Sequence, residues 1–148
     1  MKKLGKNNKG FSLVELIVVV LIMAIIAVAL APQVMKWVDN SRIATDRQTA
    51  DSVVSFAQLA LTNKAANTEL TTSAKDITIT VDKDGYKIES AGTCTAFVTA
   101  FCDNAGIADA ATATTIKLKS SNTVVVTVSA DGVVTSDAAT SLESDDLD

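Results

Sequence analysis

The sequence contains no histidine, and the motifs that usually build an active site are also missing. Histidine is the commonest general base and the commonest metal ligand, so both roles lose their usual residue. The chain also lacks a Cys-x-x-Cys pair, a glycine-rich phosphate loop and a Gly-x-Ser-x-Gly turn. No set of nucleophile, base and orienting group can be assembled. The sequence therefore predicts a protein that is not an enzyme and that uses no cofactor and no metal.

Aromatic residues are also scarce, at 4% of the chain, although 48% of the chain is apolar. The apolar mass is aliphatic, and no charged residue occurs between Leu16 and Met35. As a helix this run would extend about 30 Å, the thickness of the hydrocarbon core of a bilayer. A buried core helix is the alternative, but a small domain has too little surface to cover a helix that is apolar on every face. The sequence therefore predicts a membrane-spanning helix.

Positive charge is concentrated at the start of the chain. Residues 1–10 hold four lysines and no acid, which leaves nine basic against 17 acidic residues from residue 11 onward. The lysines predict a cytoplasmic leader. The acidic body does not predict nucleic-acid binding, which needs clustered Lys and Arg. Residues 143–148 hold four acids and indicate a solvated tail.

Residues 10–15, which read GFSLVE, place Glu15 at the entrance of the apolar run. A carboxylate in a membrane helix costs about 2.5–3.5 kcal/mol at the helix centre and less near the interface, so it needs a partner. A cut between Gly10 and Phe11 would create an α-amine on Phe11, one helical turn from Glu15. That amine, in the same chain or in an adjacent subunit, would neutralise the acid and fix the stagger between subunits.

An ordinary secretory signal peptide is the sharper alternative. The apolar stretch from Leu16 to Val28 is followed by Ala-Leu-Ala at residues 29–31, which fits the cleavage pattern of such signals. However, Glu15 lies where these signals carry positive charge, and Pro32 would directly follow the cut. These two residues favour cleavage after Gly10 instead.

The segment over residues 9–38 resembles the class III signal of type IV pilins and pseudopilins: a lysine-rich leader, then G-F-[ST]-L-x-E, then about twenty apolar residues. The resemblance implies that a prepilin peptidase cuts after Gly10 and methylates the amine of Phe11. It also implies that Glu15 pairs with this amine during assembly and that Pro32 kinks the helix. Some minor pseudopilins lack the acid, so its presence favours a repeating subunit.

The resemblance implies a structural role. A single-pass precursor in the inner or cytoplasmic membrane would be processed and polymerised by the pilus assembly machinery into an extracellular type IV pilus, a fimbrium used in adhesion or twitching motility. The alternative is a pseudopilin of a type II secretion or competence DNA-uptake machine. No nucleic-acid partner is expected for a pilin, whereas DNA is a candidate partner if the chain is a competence pseudopilin. A membrane-anchored or secreted binding module is the alternative from another class.

The remaining chain predicts an α+β fold, in which a long N-terminal helix packs against a small antiparallel sheet, as in the pilin head. Apolar residues at helical spacing predict an amphipathic helix to about Ala66, followed by a Thr/Ser-rich connector over residues 67–74. Alternating residues around two Asp-Gly turns predict two hairpins, and residues 116–119 also alternate. The expected segments are a leader (1–10), a membrane and filament-core half-helix (11–38), an amphipathic half-helix (39–66) and a head (67–148).

The two cysteines, Cys94 and Cys102, are predicted to form a disulfide if the head is exported, with two buried free thiols as the alternative. Positions eight apart in one helix lie about 12 Å apart, which is too far for a disulfide. A bridge and an unbroken helix over residues 94–102 therefore exclude each other. Three apolar residues nearby are expected to pack into the head, namely Phe97, Val98 and Phe101. Residues 103–106 are expected to form a turn or a helix end.

Asp82 and Asp84 suggest a calcium loop, but the spacing argues against it. An EF-hand loop that used them would begin at Thr80 and end at Ala91, neither of which is a suitable ligand. A hairpin turn is predicted instead.

Overall fold

A computed structural model describes residues 11–73, 75–90, 94–107 and 116–142. The leader with Gly10, and the acidic tail at residues 143–148, lie outside the described residues. The predicted α+β fold is confirmed, with a long N-terminal helix and a small antiparallel sheet. In chain order the elements are α1 (Leu13–Thr62), α2 (Lys64–Ser73), β1 (Ile77–Val81), β2 (Tyr86–Ser90), α3 (Thr95–Ala105), β3 (Val124–Val128), β4 (Val134–Ser136) and α4 (Ala138–Ser141).

The chain divides into two compact units between Val38 and Asp39. In the second unit, α1 buries one stripe of mostly small residues that recur at helical spacing against the core. The predicted amphipathic helix is therefore confirmed, although it ends at Thr62 rather than near Ala66. The buried residues of the stripe are Asp46, Ala50, Val53, Ala57 and Ala60.

The predicted connector over residues 67–74 was wrong, because α2 occupies most of it. Ala66 and Leu70, one turn apart, are fully buried and anchor the helix to the core. The side-chain oxygen of Asn63 accepts the N–H of Ala65 (3.0 Å), which caps the first turn. The hydroxyl of Thr68 donates to a carbonyl one turn back and so does not compete with the helix. Burial of one apolar face therefore overrode the polar composition.

The four strands form one antiparallel sheet in the order β2-β1-β3-β4. On β1 and β3 every second residue is buried, which produces the alternation seen in the sequence. Both predicted hairpins are confirmed. The carboxylate of Asp82 accepts the N–H groups of Asp84 (2.7 Å) and Gly85 (3.0 Å), so this segment is a turn. Gly132 takes a left-handed φ of 79° in the β3–β4 turn.

Residues 116–119 do not form the strand that their alternation indicated. Leu118 is buried, and its N–H donates to the carbonyl of Asp82 (2.9 Å). The next two N–H groups, of Lys119 and Ser120, donate to the carboxylate of Asp46 on α1. The side chain of Asp46 therefore accepts the hydrogen bonds of these two N–H groups, as a neighbouring strand would in a sheet.

Helix α3 lies in the region that had no clear period in the sequence. It ends at Gly106, where φ is 68° and the N–H donates to the carbonyl of Asp103 (3.2 Å). This confirms the helix end predicted at residues 103–106. Phe97 and Phe101 are fully buried and their rings stack, while Val98 is half-buried against the core. The predicted packing of these residues is confirmed.

The disulfide predicted between Cys94 and Cys102 is not formed, and this prediction is corrected. Both residues are free, buried thiols. Cys94 is the residue immediately before the first turn of α3, and Cys102 lies in its third turn. The unbroken helix between them holds the two residues farther apart than a disulfide permits.

Candidate functional site

The N-terminus of α1 carries the residues for which the sequence predicts a function. The helix begins at Leu13, and the carbonyl of Ser12 accepts the first helical N–H, from Leu16 (3.2 Å). Phe11 precedes the helix and is 83% exposed. Glu15 lies in the first turn, where the partial positive charge of the helix N-terminus favours an acid.

Phe11 and Glu15 therefore lie at the same end of α1, four residues apart along the chain. The side chain of Glu15 is exposed, and no residue in the described part of the chain forms an ion pair or hydrogen bond with it. Gly10, on the other side of the predicted cut, lies outside the described residues. The roles of Gly10, Phe11 and Glu15 stay predictions. The geometry leaves the carboxylate available to an amine at position 11.

The surface of α1 in the first unit is apolar and uncovered. Every side chain from Phe11 to Val38 is exposed. By length and composition α1 can cross a membrane, and none of its most apolar stretch is buried in the chain. Burying such a surface in lipid or against other copies would release about 25 cal/mol per Å² of apolar area. The exposed leucines and isoleucines of this surface are Leu13, Leu16, Ile17, Leu21, Ile22, Ile25, Ile26 and Leu30.

Pro32 lies inside α1, and the chain is helical on both sides of it. Because proline has no N–H, the carbonyl of Val28 does not receive its usual hydrogen bond from residue 32. The helix thus lacks one backbone hydrogen bond at Pro32 but continues past it. The kink that the resemblance implies at Pro32 stays a prediction.

Sequence reasoning missed two residues at the end of the apolar run. Lys36 and Trp37 directly follow Met35 and Lys36 is exposed, while the indole of Trp37 is 65% exposed. An indole and a long cationic side chain are the groups that suit the lipid headgroup layer. The signal was in the sequence, since this tryptophan is the only one in the chain.

Asp46 lies in the part of α1 that the sequence predicts to be amphipathic, where charged side chains ordinarily face solvent. Asp46 is completely buried and is the one buried charged residue among those described. Its neighbour Arg47 donates from Nη2 to the carbonyl of Leu142 (2.7 Å). Two consecutive residues of α1 therefore hold a loop and the end of the described chain. The sequence carries no local signal for either contact.

A second carboxylate, that of Glu69 on α2, holds the N-terminus of α3. Oε1 accepts the N–H of Thr95 (3.0 Å), and Oε2 accepts those of Ala96 (2.7 Å) and Phe97 (3.3 Å). Cys94 forms no side-chain cap of its own, so Glu69 performs that role from another helix. A shallow cleft lies beside this contact. Within the described ranges, no group of three or more acids and cysteines could hold a metal ion.

A comparison with protein-family models finds the prokaryotic N-terminal methylation motif over residues 5–31. This motif is the class III signal of type IV pilins and pseudopilins, and it confirms the resemblance seen in the sequence. It supports a membrane-anchored pilin or pseudopilin precursor that prepilin peptidase processes, and it points to a structural protein rather than an enzyme. Comparisons with curated proteins and with solved structures give no significant match.

Proposed function

We propose that this chain is the precursor of a type IV pilus subunit, which is cut after Gly10, methylated on the amine of Phe11 and polymerised from the membrane into an extracellular filament. The proposal is carried by two features together: Glu15 in the first turn of α1 pairs with no residue in the described part of the chain, and the side chains from Phe11 to Val38 form an exposed apolar surface. The methylation motif over the same residues supports it.

Each part of the segment has a role in this proposal. Before assembly, the exposed aliphatic side chains of α1 are solvated by lipid, and the lysines of the leader hold the N-terminus on the cytoplasmic side. After cleavage, the new amine of Phe11 can pair with the carboxylate of Glu15 in a neighbouring subunit. Pairing removes two charges that an apolar filament core tolerates badly, whereas an unpaired acid in that core would be strongly unfavourable.

The first test is the intact mass of the protein recovered from the cell surface, with fragmentation of its N-terminus. A chain that begins at Phe11 and is heavier by one methyl group is expected. Gly10→Val should leave the leader attached, because a side chain at this position obstructs close approach of a protease to the backbone. Gly5→Val, within the leader, is the matched control and should be processed normally. A chain that begins at Pro32 would instead identify a secreted domain.

The second test separates processing from assembly. Glu15→Gln keeps the size of the side chain but removes its charge, so cleavage after Gly10 should continue while filaments are lost. Ser12→Ala changes a neighbouring polar residue and should assemble normally. Normal filaments from Glu15→Gln subunits would count against the pairing mechanism. Abundance and filament length on cells then distinguish a pilus from the short filament of a secretion or competence pseudopilin.

A further inference from the structure

The described residues end at a point that is fixed on α1. Leu142 is fully buried, and its carbonyl accepts a hydrogen bond from Nη2 of Arg47 (2.7 Å). The acidic tail, residues 143–148, follows directly, and four of its six residues are acids. A guanidinium has five N–H donors, of which this contact uses one. The tail therefore leaves the head beside a cation that can bind a carboxylate.

Two further cations lie in the loop that the adjacent residue of α1 holds. The carboxylate of Asp46 accepts the backbone N–H of Lys119 (2.6 Å), and Lys117 is two residues away in the same loop. The side chains of both lysines are exposed, whereas Leu118 between them is buried. Arg47, Lys117 and Lys119 form the basic cluster. A stretch of six residues can extend about 20 Å, so the acids of the tail can reach this cluster.

The basic cluster has no acidic partner among the described residues. No carboxylate in these ranges forms an ion pair with it, whereas Arg42, nearby on α1, pairs with Asp39. The carboxylate of Asp46 lies beside the cluster, but it is buried and accepts two backbone N–H groups. Like charges that are held close together repel each other, so the cluster favours a partner of opposite sign.

We propose that the acidic tail folds back onto the basic cluster of its own chain and pairs with it. A single exposed ion pair contributes little, but a network of four acids and three cations contributes more. The cluster combines one residue of α1 with two residues of the loop that leads into β3, so a bound tail ties these two elements together. Because salt screens exposed charges, the contact is strong at low ionic strength and weak at high ionic strength.

The alternative occupant is the acidic tail of a second copy. A segment that is tethered in the same chain has an effective concentration in the millimolar range, well above that of free chains in dilute solution. Arg47 already holds Leu142 of its own chain, so the tail of that chain begins at the cluster. Both arguments favour the chain's own tail. The pairing requires neither cleavage nor methylation, so it is independent of the proposed function.

Cross-linking identifies the occupant. Full-length chain in detergent, unlabelled and ¹⁵N-labelled, is mixed in equal amounts and treated with a zero-length carbodiimide that joins amines to carboxylates. The expected product is an amide between Lys117 or Lys119 and an acid of the tail, within one isotope. Lys64, exposed at the start of α2, is the matched control and should be joined to the tail far less. A mixed-isotope product at the cluster, or equal yields at Lys64 and at the cluster, would overturn the proposal.

The motion of the tail, measured by ¹⁵N relaxation in detergent, gives a second test. A bound tail should have backbone order parameters above about 0.6 at residues 144–147, whereas a freely moving segment falls below this value. Lys117→Gln/Lys119→Gln removes both lysine charges and should lower the order parameters below about 0.6, as should about 1 M salt in the unchanged chain. Lys64→Gln is the control and should leave them unchanged.

Two results would contradict the pairing: order parameters that are already low in the unchanged chain, or order parameters that do not respond to the double variant. All of the substituted lysines are exposed, so the variants should fold as the unchanged chain does. Processing after Gly10, read from the mass of the same variants in cells, reports separately on the proposed function.

Discussion

The carboxylate of Asp46 accepts the backbone N–H of Lys119 at 2.6 Å, although 73 residues separate the two along the chain. Its second oxygen accepts the N–H of Ser120 at 2.7 Å. Because Asp46 is fully buried, these two N–H groups replace the water that would otherwise solvate the charge. One side chain of α1 thus fixes the loop that leads into β3.

Asp46→Ala should therefore destabilise the protein well beyond the loss of a side chain. Two backbone N–H groups would lose their acceptor, at about 1–3 kcal/mol each, so we expect a loss of about 2–6 kcal/mol in the free energy of unfolding. Urea unfolding of the detergent-solubilised chain measures this, and hydrogen exchange should accelerate at Lys119 and Ser120. Asp51→Ala, at an exposed position of the same helix, is the control and should change stability by less than about 0.5 kcal/mol. Equal stability of the two variants would contradict the anchoring role.

Glu69→Ala should loosen the start of α3. The substitution leaves three N–H groups of that helix without an acceptor, and the loss of a cap typically costs about 1–2 kcal/mol. Cys94, directly before α3, should then react with a maleimide faster than in the unchanged chain, while Cys102 in the third turn should change less. Thr72→Ala, an exposed position on α2, should leave both rates unchanged. An unchanged rate at Cys94 would show that the cap is dispensable.

Local patterns in the sequence predicted the features that depend on local physics. The uncharged run between Leu16 and Met35 predicted the apolar half of α1, and alternation around Gly85 and Gly132 predicted both hairpins. The residues of the candidate site, Phe11 among them, were identified because the motif is contiguous. In each case the residues that carry the signal are neighbours in the chain.

Contacts between distant residues account for the errors. Asp46 resembles any polar residue of an amphipathic helix until the loop that needs its carboxylate is in place. The strand expected at residues 116–119 does not form, because the N–H of Leu118 donates to the carbonyl of Asp82 and that of Lys119 donates to the carboxylate of Asp46. The disulfide was inferred from export alone. Phe97 and Phe101, one turn apart beside the cysteines, were the available signal for the helix that excludes it.

Both thiols should remain reduced in protein recovered from the cell surface. Cys94 and Cys102 are buried, and the helix between them must unwind before they can meet. Alkylation should therefore add two groups after denaturation and far fewer before it. Formation of a disulfide removes two hydrogens. A chain that is about 2 Da lighter and resists alkylation would therefore show that α3 opens and that the two thiols are oxidised to a disulfide.

The ion pair on β2 makes a prediction about pH. The Lys87 ammonium donates a hydrogen bond to Glu89 and lowers the pKa of that carboxyl below its usual 4.5, while Glu89 raises the pKa of Lys87 above 10.5. The Glu89 contribution to stability is present above its unfolded-state pKa and is lost as pH falls through the folded-state value. The Lys87 contribution is present below its unfolded-state pKa and is lost as pH rises through the folded-state value.

Lys87→Met should consequently move the pKa of Glu89 back up toward 4.5, as measured by NMR titration of its carboxyl carbon. Lys83→Met, in the neighbouring turn, should leave that pKa unchanged. Both groups are exposed, so the effect on overall stability should be small. A Glu89 pKa that does not respond to Lys87→Met would show that the pair does not persist in solution.

The single tryptophan offers a direct measure of membrane depth. If α1 crosses the bilayer with its uncharged run in the hydrocarbon, Trp37 lies just beyond the run, at the headgroup layer. In lipid vesicles its fluorescence should be quenched more by lipids brominated near the headgroup than by lipids brominated deep in the acyl chain. Ile25→Trp in a Trp37→Phe background moves the indole to the middle of the run, and this order of quenching should reverse. Identical quenching at both positions, or an emission from Trp37 that no bromolipid affects, would exclude a transmembrane placement that ends at Met35.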